Sequence, residues 1–184
     1  MPWLSRSATF GDGPQRSYEG LPRGLFYRRW IAACTVGELI GIGVATAAGV
    51  TLNSIVGEPQ SLGARVLVLV VFAAVGVVEG GALAALQWRV LRHRLLRLSA
   101  GEWVGVTVAV AVTGWIVGMT PSLFLSHESS TSGEPALATV LLLAAIAGGG
   151  AGLCFGAAQW FVLRRHAARA SRWIWIHVPA WALA

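Results

Sequence analysis

Charged residues are scarce in this chain, and lysine is missing altogether. Only 12% of its 184 residues are charged, whereas 55% are hydrophobic, and the mean hydropathy is +0.66. A soluble domain of this length needs a charged surface to stay in water. The composition therefore excludes an ordinary soluble globular protein and indicates an integral membrane protein.

Cysteines and histidines are also few, and none of them has the spacing of a metal site. Cys34 and Cys154 lie inside apolar segments at different depths, which predicts two small buried side chains rather than a disulfide. The sequence contains neither a Ser/His/Asp arrangement nor a phosphate-binding loop. We therefore expect a protein that is not an enzyme, uses no cofactor and holds no metal.

Long apolar runs, in contrast, are abundant. Four stretches reach the roughly 20 apolar residues that a helix needs to cross a ~30 Å hydrocarbon core. Tryptophans mark several of their ends, as is usual at the level of the lipid headgroups. The sequence predicts an all-α membrane bundle of four transmembrane helices, at residues 30–52, 66–91, 103 to about 123, and 136–163.

All fourteen basic residues are arginines, and their distribution is one-sided. Thirteen of them lie before the first span, between the second and third spans, or after the fourth, and only Arg65 lies on the other side. Such a bias in short loops predicts that this arginine side, with the N-terminus, faces the cytoplasm. An all-arginine composition in an Ala/Gly/Val-rich chain suggests a bacterial source, and hence the bacterial plasma membrane.

The arginines cluster at the ends of apolar segments. This placement fits phospholipid headgroups better than a nucleic-acid-binding face, so we expect anionic lipids as partners and no nucleic acid. The residues predicted to contact lipid headgroups follow the Gln-Trp pairs of the second and fourth spans, and they are Arg89, Arg92, Arg164 and Arg165.

An internal repeat emerges when the chain is shifted by 72 positions. Residues 80–92 then lie over residues 152–164 with a shared Gln-Trp-x-Val-Leu-Arg motif, and Trp103 lies over Trp175. The repeat predicts four parts of the chain. These are a poorly ordered cytoplasmic segment (1–29), transmembrane hairpin 1 (30–98), transmembrane hairpin 2 (99–170), and an incomplete third repeat or interfacial helix (171–184).

The last part is too short to cross a membrane. Its final twelve residues span only ~18 Å as a helix, and Pro179 disfavours a regular helix there. Two interpretations stay open: a third hairpin that has been cut short, or a Trp-rich half-helix in the interface.

The Gly-rich hairpins that end in Gln-Trp-x-x-Leu-Arg carry a family resemblance. From residue 30 onward the chain resembles uncharacterised multi-pass membrane proteins of cyanobacteria and actinobacteria that repeat such hairpins in tandem. The resemblance rests on residues 80–92 and 152–164 and on the tryptophans that follow them. It implies a helical membrane fold but no activity, and the chain departs from the pattern by lacking a Gln-Trp motif before Trp30.

Small residues recur every four positions in the second and fourth spans. Such ridges let helix backbones approach closely in lipid, where van der Waals contact drives association. Gln87 and Gln159 fall on the same faces and are expected to form interhelical hydrogen bonds, with a ligand or transport role as the alternative. The glycines predicted to pack helices are Gly76, Gly80, Gly148, Gly152 and Gly156.

Two carboxylates are predicted near the middle of adjacent spans. Glu38 lies nine residues inward from Arg29, and Glu79 lies ten residues inward from Arg89, so both are ~14 Å from the arginine side. A charge at that depth costs ~2.5–3.5 kcal/mol on insertion scales. The pair is a candidate proton or cation site, and the other interpretation is a neutral acid hydrogen-bonded within a Gly-rich interface.

Two functions are compatible with these features. The first is a non-enzymatic accessory or interaction protein that packs through its Gly-rich faces and contacts anionic lipid, a second copy of itself or another membrane protein. The alternative is a small proton- or cation-coupled transporter or channel that uses Glu38 and Glu79. Whether these two carboxylates meet is left open by the sequence.

Overall fold

The computed structural model describes residues 21–125 and 135–183. Within these ranges the chain forms five α-helices and no strand. Four of the helices are long and apolar enough to cross a membrane. The all-α bundle and the multi-pass membrane character expected from the sequence are therefore confirmed. The helices are α1 (Arg23–Val56), α2 (Leu62–Leu91), α3 (Ala100–Phe124), α4 (Leu137–Leu163) and α5 (Arg172–Ala182).

The first helix begins before the first predicted span, so residues 23–29, expected to be poorly ordered, are helical. Phe26 accounts for the extension because it is buried against Trp30, with ring centroids 6.4 Å apart. The guanidinium of Arg94, from the loop after α2, lies 5.0 Å from the Phe26 ring centroid and donates to the Leu21 carbonyl at 2.6 Å. These contacts stabilise the first turn of α1. The remainder of that segment, residues 1–20, lies outside the described residues.

Serine caps start two of the helices. The Ser61 hydroxyl accepts a hydrogen bond from the backbone N–H of Ala64 at 3.1 Å, and the Ser99 hydroxyl accepts one from Glu102 at 3.4 Å. Each serine thus satisfies one of the N–H groups that have no partner in the first turn.

At the other end of the chain, α5 stays helical through Pro179, against the expectation from the sequence. The proline lies in the last turn on an exposed face, where losing one backbone bond disturbs little packing.

The helices pack in chain order, α1 on α2, α2 on α3, α3 on α4 and α4 on α5. The backbones approach most closely between α2 and α3, between α4 and α5, and between α1 and α2, whereas α3 and α4 touch more loosely. In the described residues, the backbone of α1 does not approach that of α4 or α5. The bundle therefore consists of two tightly packed groups, α1–α2–α3 and α4–α5.

Glycines allow α2 to lie close to α3. A methyl group added at Gly76 would be 2.9 Å from the Cα of Val112, and one at Gly80 would be 2.9 Å from the Cα of Val108. Cβ atoms essentially never come this close to backbone, so only glycine fits at these two positions without moving a helix.

The glycines of α4 do the same for α5. A methyl group at Gly156 would lie 2.8 Å from the Cα of Ile174, and one at Gly152 would lie 2.5 Å from the His177 carbonyl oxygen. Gly148 faces the backbone of Trp181, which is still further along α5. Because earlier glycines meet later residues of α5, the short helix runs antiparallel along α4. All five predicted packing glycines lie against a neighbouring helix of the same chain.

A cluster of buried apolar residues lies on the arginine side of the bundle. At its centre the Trp173 ring of α5 makes edge-to-face contacts with Trp30 of α1 and Trp103 of α3, at centroid distances of 5.4 and 6.0 Å. Trp103 and Leu163 are fully buried there. On the opposite side residues 141–143 of α4 are exposed, as expected of a surface that faces lipid.

Two glycines of similar depth test the packing. We expect Gly80→Leu to destabilise the protein by about 1–3 kcal/mol, because the added side chain meets the α3 backbone. Gly114→Leu is the matched control, since nothing lies within 4 Å of a methyl group added there. Thermal unfolding in detergent measures both variants. Equal melting temperatures for the two would contradict the close approach of α2 and α3.

Candidate functional site

Two glutamines from different helix groups meet in the centre of the bundle. Gln159 of α4 donates from Nε2 to Gln87 Oε1 at 3.3 Å and to Thr107 Oγ1 at 3.1 Å. Its Oε1 accepts a hydrogen bond from the indole N–H of Trp173 at 2.8 Å. Gln159 is only 1% exposed and Gln87 only 4%. Side chains from α2, α3 and α5 thus converge on one amide of α4.

The hydrogen bonds determine how the Gln159 amide is oriented. The Thr107 hydroxyl donates to the Trp103 carbonyl at 2.9 Å, so it is an acceptor toward Gln159. The amide nitrogen must therefore face Thr107, and the amide oxygen faces Trp173. Gln87 donates in turn from Nε2 to the Cys34 sulfur of α1 at 3.6 Å. We call Cys34, Gln87, Thr107, Gln159 and Trp173 the amide network.

Sequence reasoning identified the two glutamines but missed the other members of the amide network. The 72-residue shift aligned Trp103 with Trp175, yet Trp173 is the residue that reaches the network. Trp173 is 4% exposed and Trp175 is 72% exposed. Both tryptophans lie in the first turn of α5, which begins at Arg172, and the two-residue step between them rotates the side chain by about 200°. Trp103 and Trp175, which the 72-residue shift aligns, therefore differ in exposure, at 0% and 72%.

The two carboxylates have different surroundings. Glu79 of α2 packs over Gly41 of α1, and its carboxylate accepts a hydrogen bond from the Trp115 indole of α3 at 2.5 Å. Glu38 has no hydrogen bond or ion pair with any described residue. The two groups are near enough for their charges to interact, but no hydrogen bond joins them in the described part of the chain. They lie near each other without forming a hydrogen-bonded pair.

A cleft of about 670 Å³ opens between α1–α2 and α4–α5. It is closed on the arginine side, where the Trp30 and Trp173 rings touch, and it widens beyond them because the α1 and α5 backbones do not approach each other. We call this space the lateral cleft. From α1 it is lined at four-residue spacing by Trp30, Cys34, Glu38 and Ile42.

The opposite wall of the lateral cleft comes mainly from α5, with Trp173, His177 and Trp181. His177 Nδ1 lies 2.9 Å from the Trp173 carbonyl, so this nitrogen carries the proton and donates it. The Trp181 ring is stacked on Phe155 of α4 at 4.8 Å. Gln87 lies at the base, where the cleft borders the amide network. Among the lining residues Glu38 is the only carboxylate, and none is an arginine.

A second groove, of about 510 Å³, lies on the arginine side between α1 and α2. It combines a cationic rim with an apolar floor, and no acidic residue lines it. The guanidinium of Arg92 is held 5.2 Å above the Trp88 ring. We call this the basic groove. Its rim is formed by Arg29, Arg89, Arg92 and His93, and its floor includes Ala32, Val36 and Leu86.

The basic groove brings together only two of the four arginines predicted to contact lipid. Arg164 instead lies over the Phe161 ring at 4.1 Å, and Arg165 forms a 3.1 Å ion pair with Glu102 at the start of α3. Both of these arginines are exposed. Arg29 and His93 were not singled out from the sequence, because their place beside Arg89 depends on how α1 packs against α2.

The cysteines differ from each other in exposure. Cys34 is half-buried within the amide network, whereas Cys154 is exposed on α4, so the expectation of two buried cysteines is wrong for Cys154. The reason is that Cys154 lies on a face of α4 that no other helix covers. No group of three or more His, Cys, Asp or Glu side chains that could hold a metal ion occurs in residues 21–125 and 135–183.

Comparison of the chain with protein-family models, with curated proteins and with solved structures finds no match. The geometry of the amide network, the lateral cleft and the basic groove is therefore the basis for inferring a function.

The amide network leads to a stability prediction. We expect Gln159→Leu to cost about 1–2 kcal/mol, because it leaves the Trp173 N–H without an acceptor and removes two further hydrogen bonds. Trp173→Phe removes one of the same bonds, so the double variant should be less destabilised than the sum of the single variants. Denaturant unfolding in mixed micelles gives all three free energies. Strict additivity would show that the two side chains do not interact.

Proposed function

We propose that this protein is a non-enzymatic accessory or interaction protein of the membrane that holds an anionic phospholipid in the basic groove. The observation that carries the proposal is the composition of that groove. Three guanidinium groups, from Arg29, Arg89 and Arg92, line it beside an apolar floor. A phosphate suits the arginines and an acyl chain suits the floor, so one phospholipid satisfies both parts.

Arg164 and Arg165 support a second, more superficial contact with anionic headgroups. Arg164 is stacked over Phe161, which keeps its guanidinium at the level where headgroups lie. Arg165 shares its charge with Glu102, so we expect the weaker lipid contact from Arg165.

Association with a second copy or with another membrane protein belongs to the same proposal. The five packing glycines already meet helices of their own chain, which supports a role for them in building the fold. A partner would therefore use the exposed apolar faces of α1 and α4. Such contacts suit an accessory protein, and we propose no enzymatic activity, cofactor, metal or nucleic acid for it.

We propose the bacterial plasma membrane as its location, with the N-terminus and the arginine side in the cytoplasm. The arginine distribution supports this orientation, and a topology reporter fused after Leu98 would test it. The Gly-rich Gln-Trp repeat supports kinship with the tandem-hairpin membrane proteins of cyanobacteria and actinobacteria.

Paired arginine variants test the basic groove. Arg89→Gln with Arg92→Gln should weaken binding of phosphatidylglycerol by roughly 10- to 30-fold, since each arginine near an anionic surface contributes about 1 kcal/mol. Native mass spectrometry of the full chain with added lipid measures the affinity. Arg97→Gln with Arg172→Gln is the control, because it removes the same charge from the same side outside the groove. Equal weakening in both double variants would indicate unspecific electrostatic attraction and no groove site.

A second candidate function, a small proton- or cation-coupled transporter or channel, is favoured by one observation. Glu38 faces the lateral cleft and has no hydrogen-bonding partner among the described residues. A carboxylate within a membrane bundle that faces a cavity is typical of an ion or proton pathway. Glu79, held by Trp115, would assist through its charge rather than by direct contact with the ion.

Flux through liposomes distinguishes the two candidates. If the protein conducts, the unaltered chain should pass protons or monovalent cations above the level of empty liposomes, and Glu38→Gln with Glu79→Gln should abolish that excess. Removal of both carboxylates removes the charges that would bind the ion. Pyranine fluorescence and a potassium-sensitive dye report the two fluxes. Flux at the empty-liposome level for both proteins would eliminate the transporter and leave the accessory role.

A further inference from the structure

We propose that the lateral cleft binds a lipophilic organic monocation, that is, a quaternary ammonium or phosphonium ion with apolar substituents. This binding site goes beyond the accessory role. It rests on the second candidate function in one respect, the role of Glu38 as the charged group. Three features of the cleft carry the inference: its charge, its aromatic walls and its opening toward lipid.

The charge of the lateral cleft is complementary to a single cation. Glu38 is the only carboxylate among the lining residues, no arginine lines the cleft, and no described residue pairs with Glu38. A carboxylate away from bulk water is costly unless it is paired, so a bound cation relieves that cost. His177 donates its Nδ1 proton to the Trp173 carbonyl and turns the flat ring toward the Trp173 indole, 4.9 Å away.

The oxygen atoms of the cleft do not suit Mg²⁺ or Ca²⁺, and the His, Cys and Glu side chains that line it form no group that could hold a metal ion. Mg²⁺ and Ca²⁺ require about six or more oxygen ligands in a defined arrangement. The cleft offers the Glu38 carboxylate and the Gln87 amide, and the Gln87 oxygen already accepts a hydrogen bond from Gln159. One carboxylate with no further free oxygen can balance the charge of an organic ion, which needs no coordination shell.

The walls of the cleft supply the contacts that such an organic ion needs. Indole rings line it from both sides, Trp30 on α1 and Trp173 and Trp181 on α5. Aromatic faces attract quaternary ammonium groups through cation–π interactions, and tryptophan is the strongest of them. Ile42 and Ile176 add apolar surface for the substituents. A carboxylate among three indoles distinguishes this cavity from a groove for an acyl chain, which needs neither.

The size and the opening of the cleft match the same ligand. A volume of about 670 Å³ is within the range of roughly 300–1,000 Å³ found for small-molecule sites. Ile42 and Ile176 are exposed at the mouth, so the cleft opens sideways, toward the space that lipid occupies. A lipophilic cation concentrates in membranes and would enter from there, whereas a strongly hydrated ion would not.

Equilibrium binding of radiolabelled tetraphenylphosphonium tests the proposal. The full chain is placed in nanodiscs of phosphatidylcholine, which has no net charge and so does not attract the ion to headgroups. We expect saturable binding by the unaltered protein and at least about tenfold weaker binding by Glu38→Gln. Glu58→Gln is the matched control, because it changes the same chemical group in the loop after α1, outside the cleft, and the affinity of this variant should change by no more than about threefold.

Two tryptophans of α5 give a second matched pair. Trp181→Leu should weaken binding about threefold or more, because it removes an indole from the cleft wall. Trp175→Leu should leave the affinity unchanged, since that side chain points away from the bundle.

A competition on the unaltered chain makes the test independent of how the variants fold. Neutral triphenylphosphine oxide should not displace tetraphenylphosphonium, whereas unlabelled tetraphenylphosphonium should. Displacement by the neutral compound, or undiminished binding by a Glu38→Gln variant with unchanged circular dichroism, would overturn the proposal and make the cleft a simple apolar groove. The flux experiment is separate. Binding of tetraphenylphosphonium without ion flux refutes the transporter but not this binding site. Ion flux without such binding refutes this binding site but not the transporter.

Discussion

A primary amide buried among membrane helices must find its hydrogen-bonding partners inside the protein, and Gln159 does so where the helices meet. It donates to Gln87 and Thr107 and accepts from Trp173, so that α2, α3 and α5 are bound to one group on α4. Water cannot replace these partners in a hydrocarbon environment, so each bond constrains the rotation of a helix. The α4–α5 pair, which has little contact with the rest through α3, is held to the other helices chiefly by these bonds and by the surrounding tryptophans.

The cleft is a consequence of where this network lies. Near the arginine side, α1 and α5 are joined by Trp30 and Trp173, but further along no glycine ridge or polar group draws them together. The glycines of α1 serve α2, since Gly37 faces Leu83 and Gly41 faces Glu79, and those of α4 serve α5. Each close-packing face is thus already used, and the two helix groups diverge. In the space between them Glu38 is the only carboxylate among the lining residues, whereas Glu79 is enclosed between α1 and α3.

The arginines on the arginine side of the bundle carry the same charge but make different contacts. Arg94 is used within the fold, where it covers Phe26 and bonds to Leu21. Arg165 pairs with Glu102, while Arg89 and Arg92 remain available beside an apolar floor. A positive-inside count treats these residues as equal, because it responds only to the side of the membrane on which a charge lies. Their neighbours decide whether an arginine stabilises the bundle or stays available for a lipid.

The sequence by itself determined that the chain is an all-α membrane protein with four spans, because hydrophobic length and charge are local quantities that can be read along the chain. It also predicted the depth of Glu38, Glu79 and both glutamines, which follows from 1.5 Å per helical residue. Only the tertiary structure decided which of these groups meet. Helix rotation and pairing depend on contacts between residues far apart in sequence, so the bond between Gln87 and Gln159 and the separate surroundings of the two carboxylates could not be derived from depth. The start of α5 is the clearest example of what depth along a helix does not predict. Trp173 reaches the amide network there and Trp175 points outward, because the two-residue step between them, about 200° of helical rotation, carries a side chain to a different face.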